Sequence, residues 1–330
     1  MSCRFRAALL SGLLHFASSA AAAPCLQPVP ACIEWVSVGG DAARARVYRN
    51  HPLDARNSAV THALIVVHGL GRNADNYYRY ALAGGSLAGA LDHTLVIAPR
   101  FSSNQGRTCR DTLAQDELNW VCAGAASWRS GGAAVGHSEV TSFDLLDELL
   151  RRLARREVFP NLEAVVLAGH SAGGQYVTRY GLANRLHEKL PFRLSYVVSN
   201  PSSYTYPDSQ RPAAAEPPAC SGYNAWPYGL EKRVGYTANL GDDELRRNLA
   251  SRPVTYLLGE LDIYPLSNFD GSCPAMAQGA TRLARGLAYA RHVRETLGAR
   301  HQVVLVPGCG HNARCMFGAE AALPVLFGRD

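Results

Sequence analysis

Residues 164–180 read AVVLAGHSAGGQYVTRY, and this stretch decides the fold. It opens on Ala164-Val165-Val166-Leu167-Ala168, an apolar run too short for a helix of its own and rich enough in valine for a strand buried on both faces. It closes on Gln175-Tyr176-Val177-Thr178-Arg179-Tyr180, which can continue as a helix. Between them Gly169-His170-Ser171-Ala172-Gly173 places a serine on a sharp strand-to-helix turn. That turn strains the backbone and pushes the hydroxyl into the open. Gly169 and Gly173 are needed where strand and helix pass too close for a Cβ. The same geometry puts the Ala172 N–H at a helix start, aimed at any negative oxygen beside Ser171. The competing reading is a tight turn with an idle serine.

Upstream, 33–38 and 44–48 are short β-like runs separated by Gly39-Gly40-Asp41, a hairpin signal. Strand-like runs follow at 63–67 and 94–98, with helical character over 73–90 between them, then a long loop over 99–137. Thr141-Ser142-Phe143-Asp144 offers a capping-box start. Phe143, Leu146, Leu150 and Leu153 continue it at helical spacing, and Arg151, Arg152, Arg155 and Arg156 read as its solvated side. Downstream come strands at 194–198, 254–258 and 303–306, a helix over 276–297 and a terminal helix over 314–327. The alternation implies an α/β fold: a mostly parallel eight-stranded sheet with helices on both faces and Ser171 after the fifth strand. An irregular insertion at about 201–252, rich in Pro and Tyr, is the natural lid over the carboxyl edge of the sheet.

The chain has 330 residues, 47% of them hydrophobic, enough for one large core with an elaborated insertion. The formal charge of +6 is carried almost wholly by arginine, Lys189 and Lys232 being the lysines, and the cations are spread rather than clustered. A dispersed surplus of that size gives no reason to expect nucleic acid. Arg4 and Arg6, the apolar run over 7–16 and the small residues over 18–23 read as an export signal at 1–23, too short for a stable membrane anchor, with the mature domain at 24–330. Of nine cysteines, Cys3 lies in that segment. The other eight suit disulfides in an exported protein, expected as Cys25–Cys32, Cys109–Cys122, Cys220–Cys273 and Cys309–Cys315. None has the C-x-x-C spacing of structural zinc, and no metal site is expected.

A serine hydroxyl needs a base, and the base an orienting carboxylate, both at the carboxyl edge of the sheet. Among His51, His62, His68, His93, His137, His170, His187, His292, His301 and His311, the last stands just after the final strand, in the glycine-rich turn PGCGHN. His170 lies in the turn itself and is expected to pack or hydrogen-bond nearby, while His187, His292 and His301 read as surface residues. In YLLGELD, Asp262 lies just past a strand end, with Glu260 a close rival and Asp270 a distant one. The chain order Ser171, Asp262, His311 suits the arrangement. A second N–H for an oxyanion is expected from Leu70 in HGLGRN, beside that of Ala172; the alternative, a phosphate loop, lacks its lysine.

VVHGLGRN, GHSAGG, LLGELD and PGCGHN, in this order and spacing, resemble the α/β-hydrolase family over about residues 60–325. Ala98-Pro99-Arg100-Phe101, Trp120, Trp128, Ser142-Phe143 and GHSAGGQYVTRY are similar to a little-characterised group within it. The resemblance implies a Ser-His-Asp hydrolase with no metal or organic cofactor. The reading that follows is an exported serine hydrolase cleaving small-molecule or polymeric carboxylic esters through an acyl-enzyme. Its activity is expected to rise through a histidine ionisation near ~6.5. Alternatives are a lipase or polyester depolymerase, a peptidase or acyltransferase, and a non-catalytic binding protein on the same fold. Residues 120–136 are expected to border the pocket. Tyr204, Tyr206, Tyr223, Trp226, Tyr228 and Tyr236 form either an aromatic rim over the serine or the packing of the insertion. Oligomeric state is not legible in the sequence.

Overall fold

The computed structural model describes residues 23–40, 43–106, 108–212, 220–266 and 268–328. The export signal expected over 1–23 lies outside them except for its last residue. The antiparallel pair β1 (Ile33–Ser37) and β2 (Arg44–Arg49) opens the fold. β3 (His62–Val67), α1 (Ala74–Leu87) and β4 (Thr94–Pro99) follow. A two-stranded ribbon, β5 (Ala133–Ala134) with β6 (His137–Thr141), interrupts the expected long loop before α2 (Ser142–Leu153). Next come β7 (Ala164–His170), α3 (Ala172–Ala183), β8 (Arg193–Ser199), α4 (Asp242–Ser251) and β9 (Val254–Gly259). The chain ends with α5 (Cys273–Met276), α6 (Arg282–Leu297), β10 (Gln302–Val306), α7 (Ala313–Gly318) and α8 (Leu323–Phe327).

Eight strands form one sheet in the order β1-β2-β4-β3-β7-β8-β9-β10. Neighbours from β4 to β10 are parallel, and β2 joins β4 antiparallel. Side chains alternate between two cores, as a period of two on a doubly covered sheet requires. Ala63, Ile65, Val67, Val165 and Leu167 enter the core shared with α2 and α3. Leu64, Val66, Val166 and Ala168 enter the core shared with α1 and α7. β7, fifth of the eight strands in chain order, lies between β3 and β8, so the turn after it sits mid-sheet. Thr141 caps α2 as expected: its side chain accepts from the Asp144 N–H, and the Asp144 carboxylate accepts from the Thr141 N–H at 2.8 Å.

Several boundaries differ from the sequence expectation. The helix expected over 276–297 is two: Gly279, at φ +140, separates α5 from α6, which restarts at the Thr281 cap. The terminal helix expected over 314–327 breaks after Gly318, and Pro324 fits only the first turn of α8. α2 stops at Leu153, so Arg155 and Arg156 do not form its solvated face. Arg155 donates to the Leu53 carbonyl at 2.7 Å, and Arg156 to the Leu162 carbonyl at 3.0 Å. The segment 201–252 contains α4 and, among the described residues, no strand of the main sheet. It is tied to α3: Asn248 and Arg252 donate to the Leu182 and Asn184 carbonyls at 2.9 and 2.7 Å, satisfying acceptors that a helix end leaves open. Tyr204, Tyr206, Tyr223, Trp226 and Tyr236 are buried. Tyr204 and Tyr206 pack on Tyr289 at ring distances of 4.5 and 5.0 Å, and Tyr236 donates to Asp147 at 2.9 Å. Tyr204, Tyr206 and Tyr236 thus fill the interior, while Trp226 and half-buried Tyr228 line a cavity. All four expected disulfides are present. Among the described residues no helix is long and apolar enough to cross a membrane.

Candidate active site

Ser171 caps the N-terminus of α3 with φ 59 and ψ −117, a conformation L side chains avoid. The glycines around it are there for space. A Cβ on Gly169 would stand 2.3 Å from the Gly173 carbonyl oxygen, and one on Gly173 would stand 2.2 Å from that of Val67. The Ser171 N–H donates to the Ser199 carbonyl at 2.9 Å, holding the turn against the end of β8.

The carboxyl edge brings together residues far apart in sequence. His311 Nε2 lies 2.9 Å from Ser171 Oγ, and His311 Nδ1 lies 2.8 Å from Asp262 Oδ2. Asp262 follows β9 and is fully buried, while Glu260 is exposed to solvent. Asp270 is also unavailable to the histidine, engaged instead with the Tyr228 hydroxyl at 2.9 Å. The Cys309–Cys315 disulfide brackets His311, and Asn312 caps α7 through its side chain, so the histidine turn is restrained on both sides.

Several neighbours escaped the sequence reading. Arg282, fully buried, lies 3.6 Å from Asp262 and donates to Ser202 Oγ at 2.9 Å. Burial pushes its pKa down and the Asp262 charge opposes that shift. At the start of a helix an arginine reads as a surface cation, and no local signal marks it. His170 stands 4.7 Å, ring to ring, from His311 and hydrogen-bonds the Tyr77 hydroxyl through Nδ1 at 3.2 Å. Burial, then the His311 and Arg282 charges, hold the His170 pKa well below its ordinary value, so it stays neutral beside His311. Asn200, at φ 43 just past β8, accepts from the Gly259 N–H at 2.9 Å and donates to the Gly310 carbonyl at 3.3 Å. It thus ties the ends of β8 and β9 to the histidine turn. Asn200→Ala leaves the buried Gly259 N–H unpaired, at about 1–3 kcal/mol, and removes one of the two donors to the Gly310 carbonyl, which keeps the Asn312 N–H. The expected outcome is a lower melting temperature and a 10–100-fold loss in kcat with KM little changed, measured by steady-state kinetics.

The HGLGRN turn is built around His68. Its Nδ1–H donates to the Gly69 carbonyl at 2.8 Å and its Nε2 accepts from the Phe101 N–H at 3.0 Å. Arg72 donates to the Leu70 carbonyl and to Asp111, both at 2.7 Å. A Cβ on Gly69 would stand 3.7 Å from Ser171 Cβ, so the turn lies against the serine. Among the described residues, the Leu70 and Ala172 N–H groups have no backbone acceptor.

His187 and His301, expected at the surface, are half-buried and hydrogen-bond Tyr196 and Tyr256 at 3.0 and 2.8 Å; His292 pairs with Asp208 at 2.9 Å. Burial pushes the pKa of His68 and of His187 down to about 4. The unfolded chain protonates these rings from about pH 6.5 downward, whereas the native state resists until about pH 4. Stability is therefore full above pH 6.5 and falls as the pH drops towards 4, by roughly 3 kcal/mol for fully buried His68 alone. Urea midpoints at pH 7 and pH 4.5 should show that loss, and equal midpoints would contradict it.

Of residues 120–136, Gly124, Ala125, Arg129 and Ser130 line a cavity together with Trp226 and Tyr228; that lining reaches Gln175 on α3 and does not include Ser171. Trp120 and Trp128 themselves are core, Trp128 stacking on Phe101 at 5.1 Å. Among the described residues no group of three or more His, Cys, Asp or Glu side chains is placed to hold a metal ion.

Comparison with known proteins places the chain. No curated protein sequence matches it. A poly(3-hydroxybutyrate) depolymerase from Bordetella parapertussis superposes with a TM-score of 0.64 at 23% identity, covering 88% of this chain and 89% of its own. Poly(aspartic acid) hydrolase-1 from Sphingomonas sp. KT-1 superposes with a TM-score of 0.60 at 22% identity, covering 89% of this chain and 97% of its own. At that identity the likeness speaks for the fold. The sequence profile of the alpha/beta hydrolase family matches residues 64–323, most of the chain and every strand from β4 to β10, and the protein belongs to that family.

Proposed function

We propose that the protein is an exported serine hydrolase that cleaves carboxylic esters through an acyl-enzyme. The observation that carries the reading is the unbroken hydrogen-bonded line Ser171–His311–Asp262, at 2.9 and 2.8 Å, ending on a serine held in strained backbone geometry. Ser171 Oγ attacks the acyl carbon while its proton passes to His311 Nε2. Asp262 holds the ring by Nδ1 and stabilises the imidazolium. The oxyanion is received by the Leu70 and Ala172 N–H groups, each donor of this kind lowering the barrier by ~3 kcal/mol. Collapse expels the alcohol, which takes the proton from His311, and water repeats the sequence on the acyl-enzyme. Ser203 and residues within 220–228 wall the cavity beside α3, which supports reading the insertion as the cover of the site. Four disulfides, and no helix long and apolar enough to cross a membrane among the described residues, are in keeping with export.

The direct experiment is labelling of the intact protein with a fluorophosphonate, with the modified residue mapped by mass spectrometry. The expected adduct is on Ser171; a folded protein that takes no label would return the chain to the non-catalytic reading. A second reading, hydrolysis of polymeric or emulsified esters, is favoured by the apolar side chains flanking Asp262: Leu261, Ile263, Tyr264 and Leu266 are all exposed. Comparing polyester films and triglyceride emulsions with short p-nitrophenyl esters separates the two.

A further inference from the structure

Ser171, Gln175 and Arg179 recur every four residues and so form one stripe along α3. At 1.5 Å rise per residue, Gln175 and Arg179 lie about 6 and 12 Å along the axis from the serine. Helical side chains lean back towards the N-terminus, which here is Ser171. A cavity of about 380 Å³ opens on the Gln175–Arg179 part of this stripe, one turn along from Ser171, its polar wall including Arg129, Gln175, Arg179, Ser203, Tyr228 and Asp270. The Cys220–Cys273 disulfide forms part of the same wall.

Two guanidinium groups share this cavity with no carboxylate at ion-pair distance among the described residues; the Asp270 carboxylate in the same wall acts on both only from further away. Arg179 is 2% exposed. It donates only to neutral acceptors, the Arg129 carbonyl at 3.3 Å and the hydroxyls of Ser130 and Ser203 at 3.5 and 3.4 Å. Arg129 donates to Gln175 Oε1 at 3.1 Å. The Nε–H of each arginine is buried without an acceptor, and neither forms an ion pair among the described residues. Asp270, the carboxylate in the wall, is committed to the hydroxyls of Tyr228 and Ser272 at 2.9 and 2.7 Å and to the Ser272 N–H at 3.1 Å. Burial, and next the charge of Arg129, push the Arg179 pKa down, with the Asp270 charge opposing the shift without cancelling it. A buried pair of this kind is relieved by an anion, and the planar fork of a guanidinium matches a carboxylate.

We propose that this cavity is a carboxylate subsite, in which Arg129 and Arg179 hold an anionic group borne on the acyl chain of the substrate, beyond the ester carbon presented to Ser171. Gln175 sits between them, its Oε1 taken by Arg129 and its Nε2 donating to Ser203 Oγ at 2.7 Å, so the stripe from nucleophile to arginines is polar throughout. The substrate class is the half-ester of a dicarboxylic acid, or a polyester chain carrying free carboxylates. The catalytic half of the proposal rests on the hydrolase reading; the binding half does not.

The test titrates the whole protein calorimetrically with adipate, with neutral adipamide and with inorganic phosphate at low ionic strength. Adipate is expected to bind at least ten-fold more tightly than either of the others. Arg129→Gln should weaken adipate at least ten-fold, and Arg129→Lys should recover part of that loss. Arg179→Gln, whose parent side chain also ties Ser130 and Ser203, is read only if its melting curve shows a folded protein; the Arg129 variants keep the test independent of it. The second readout is the kcat/KM ratio of mono-p-nitrophenyl adipate to p-nitrophenyl hexanoate. It should exceed ten in the parent protein and fall ten-fold in Arg129→Gln, through KM. Equal binding of adipate and adipamide, phosphate binding tighter than adipate, or a ratio unmoved by Arg129→Gln overturns the subsite. Arginine-dependent adipate binding without hydrolysis of either ester leaves the subsite standing and removes the hydrolase reading. Hydrolysis of the hexanoate ester with no preference for adipate does the reverse.

Discussion

Ser171→Ala is expected to lower kcat for ester hydrolysis by roughly 10^5–10^6-fold while leaving KM nearly unchanged. The nucleophile makes its bond only on the way to the transition state, so its loss removes turnover and not ground-state binding. What activity remains would come from N–H groups and positioning that do not involve the hydroxyl. Alanine occupies the same positive-φ position and removes no hydrogen bond of the turn, because the backbone N–H still reaches the Ser199 carbonyl. The melting temperature should therefore stay close to the parent value, and the fluorophosphonate label should vanish. Steady-state kinetics with a p-nitrophenyl ester checks the first point and calorimetry the second. A folded Ser171→Ala protein retaining a tenth of the parent rate would sink the assignment.

Asp262→Asn should cost about 10^4-fold in kcat. The carboxylate accepts from His311 Nδ1–H and so keeps Nε2 free to accept from Ser171; an amide can present its NH₂ instead and favour the opposite tautomer. The same change leaves buried Arg282 without its carboxylate partner, and removing one member of a buried pair costs about 3–5 kcal/mol. Activity and melting temperature should therefore fall together. Glu260→Gln separates this from a general effect of acidic residues on the β9 turn. Glu260 is exposed, so its removal should change kcat less than two-fold. Equal losses in the two variants, measured side by side, would mean that the wrong carboxylate has been singled out.

The parts of the site legible in the sequence are those with a local cause. Gly169 marks a place where strand and helix backbones touch within five residues, whereas the room that Gly173 needs is set by the Val67 carbonyl at the end of β3. The alternation in β3 and β7 and the Thr141–Asp144 cap are likewise settled within a turn or a strand. Sequence placed His311 and Asp262 at strand ends, which was enough to name them, but Glu260 stood two residues from Asp262 with the same chemistry. Choosing between them required the turn after β9, where the Asp262 N–H donates to the Gly259 carbonyl at 3.1 Å and Asp262 is buried behind His311. The breaks at Gly279 and Gly318 were missed because apolar spacing continued across them. The insertion's tyrosines could be rim or core on composition alone; Tyr289, far along the chain, made Tyr204 and Tyr206 core, while Tyr228 lines a cavity.

By itself the sequence determined the strand-to-helix turn, the parallel sheet and the residue types available at its carboxyl edge. Those follow from steric contacts and side-chain periodicity, which act over a few residues. Tertiary structure alone decided that Arg282 stands behind Asp262, that Asn200 ties two strand ends to the histidine turn, and that Arg129 and Arg179 share one cavity. Each depends on burial and charge contributed by segments distant in the chain, and an arginine in a sequence carries no mark of the dielectric it will occupy once folded.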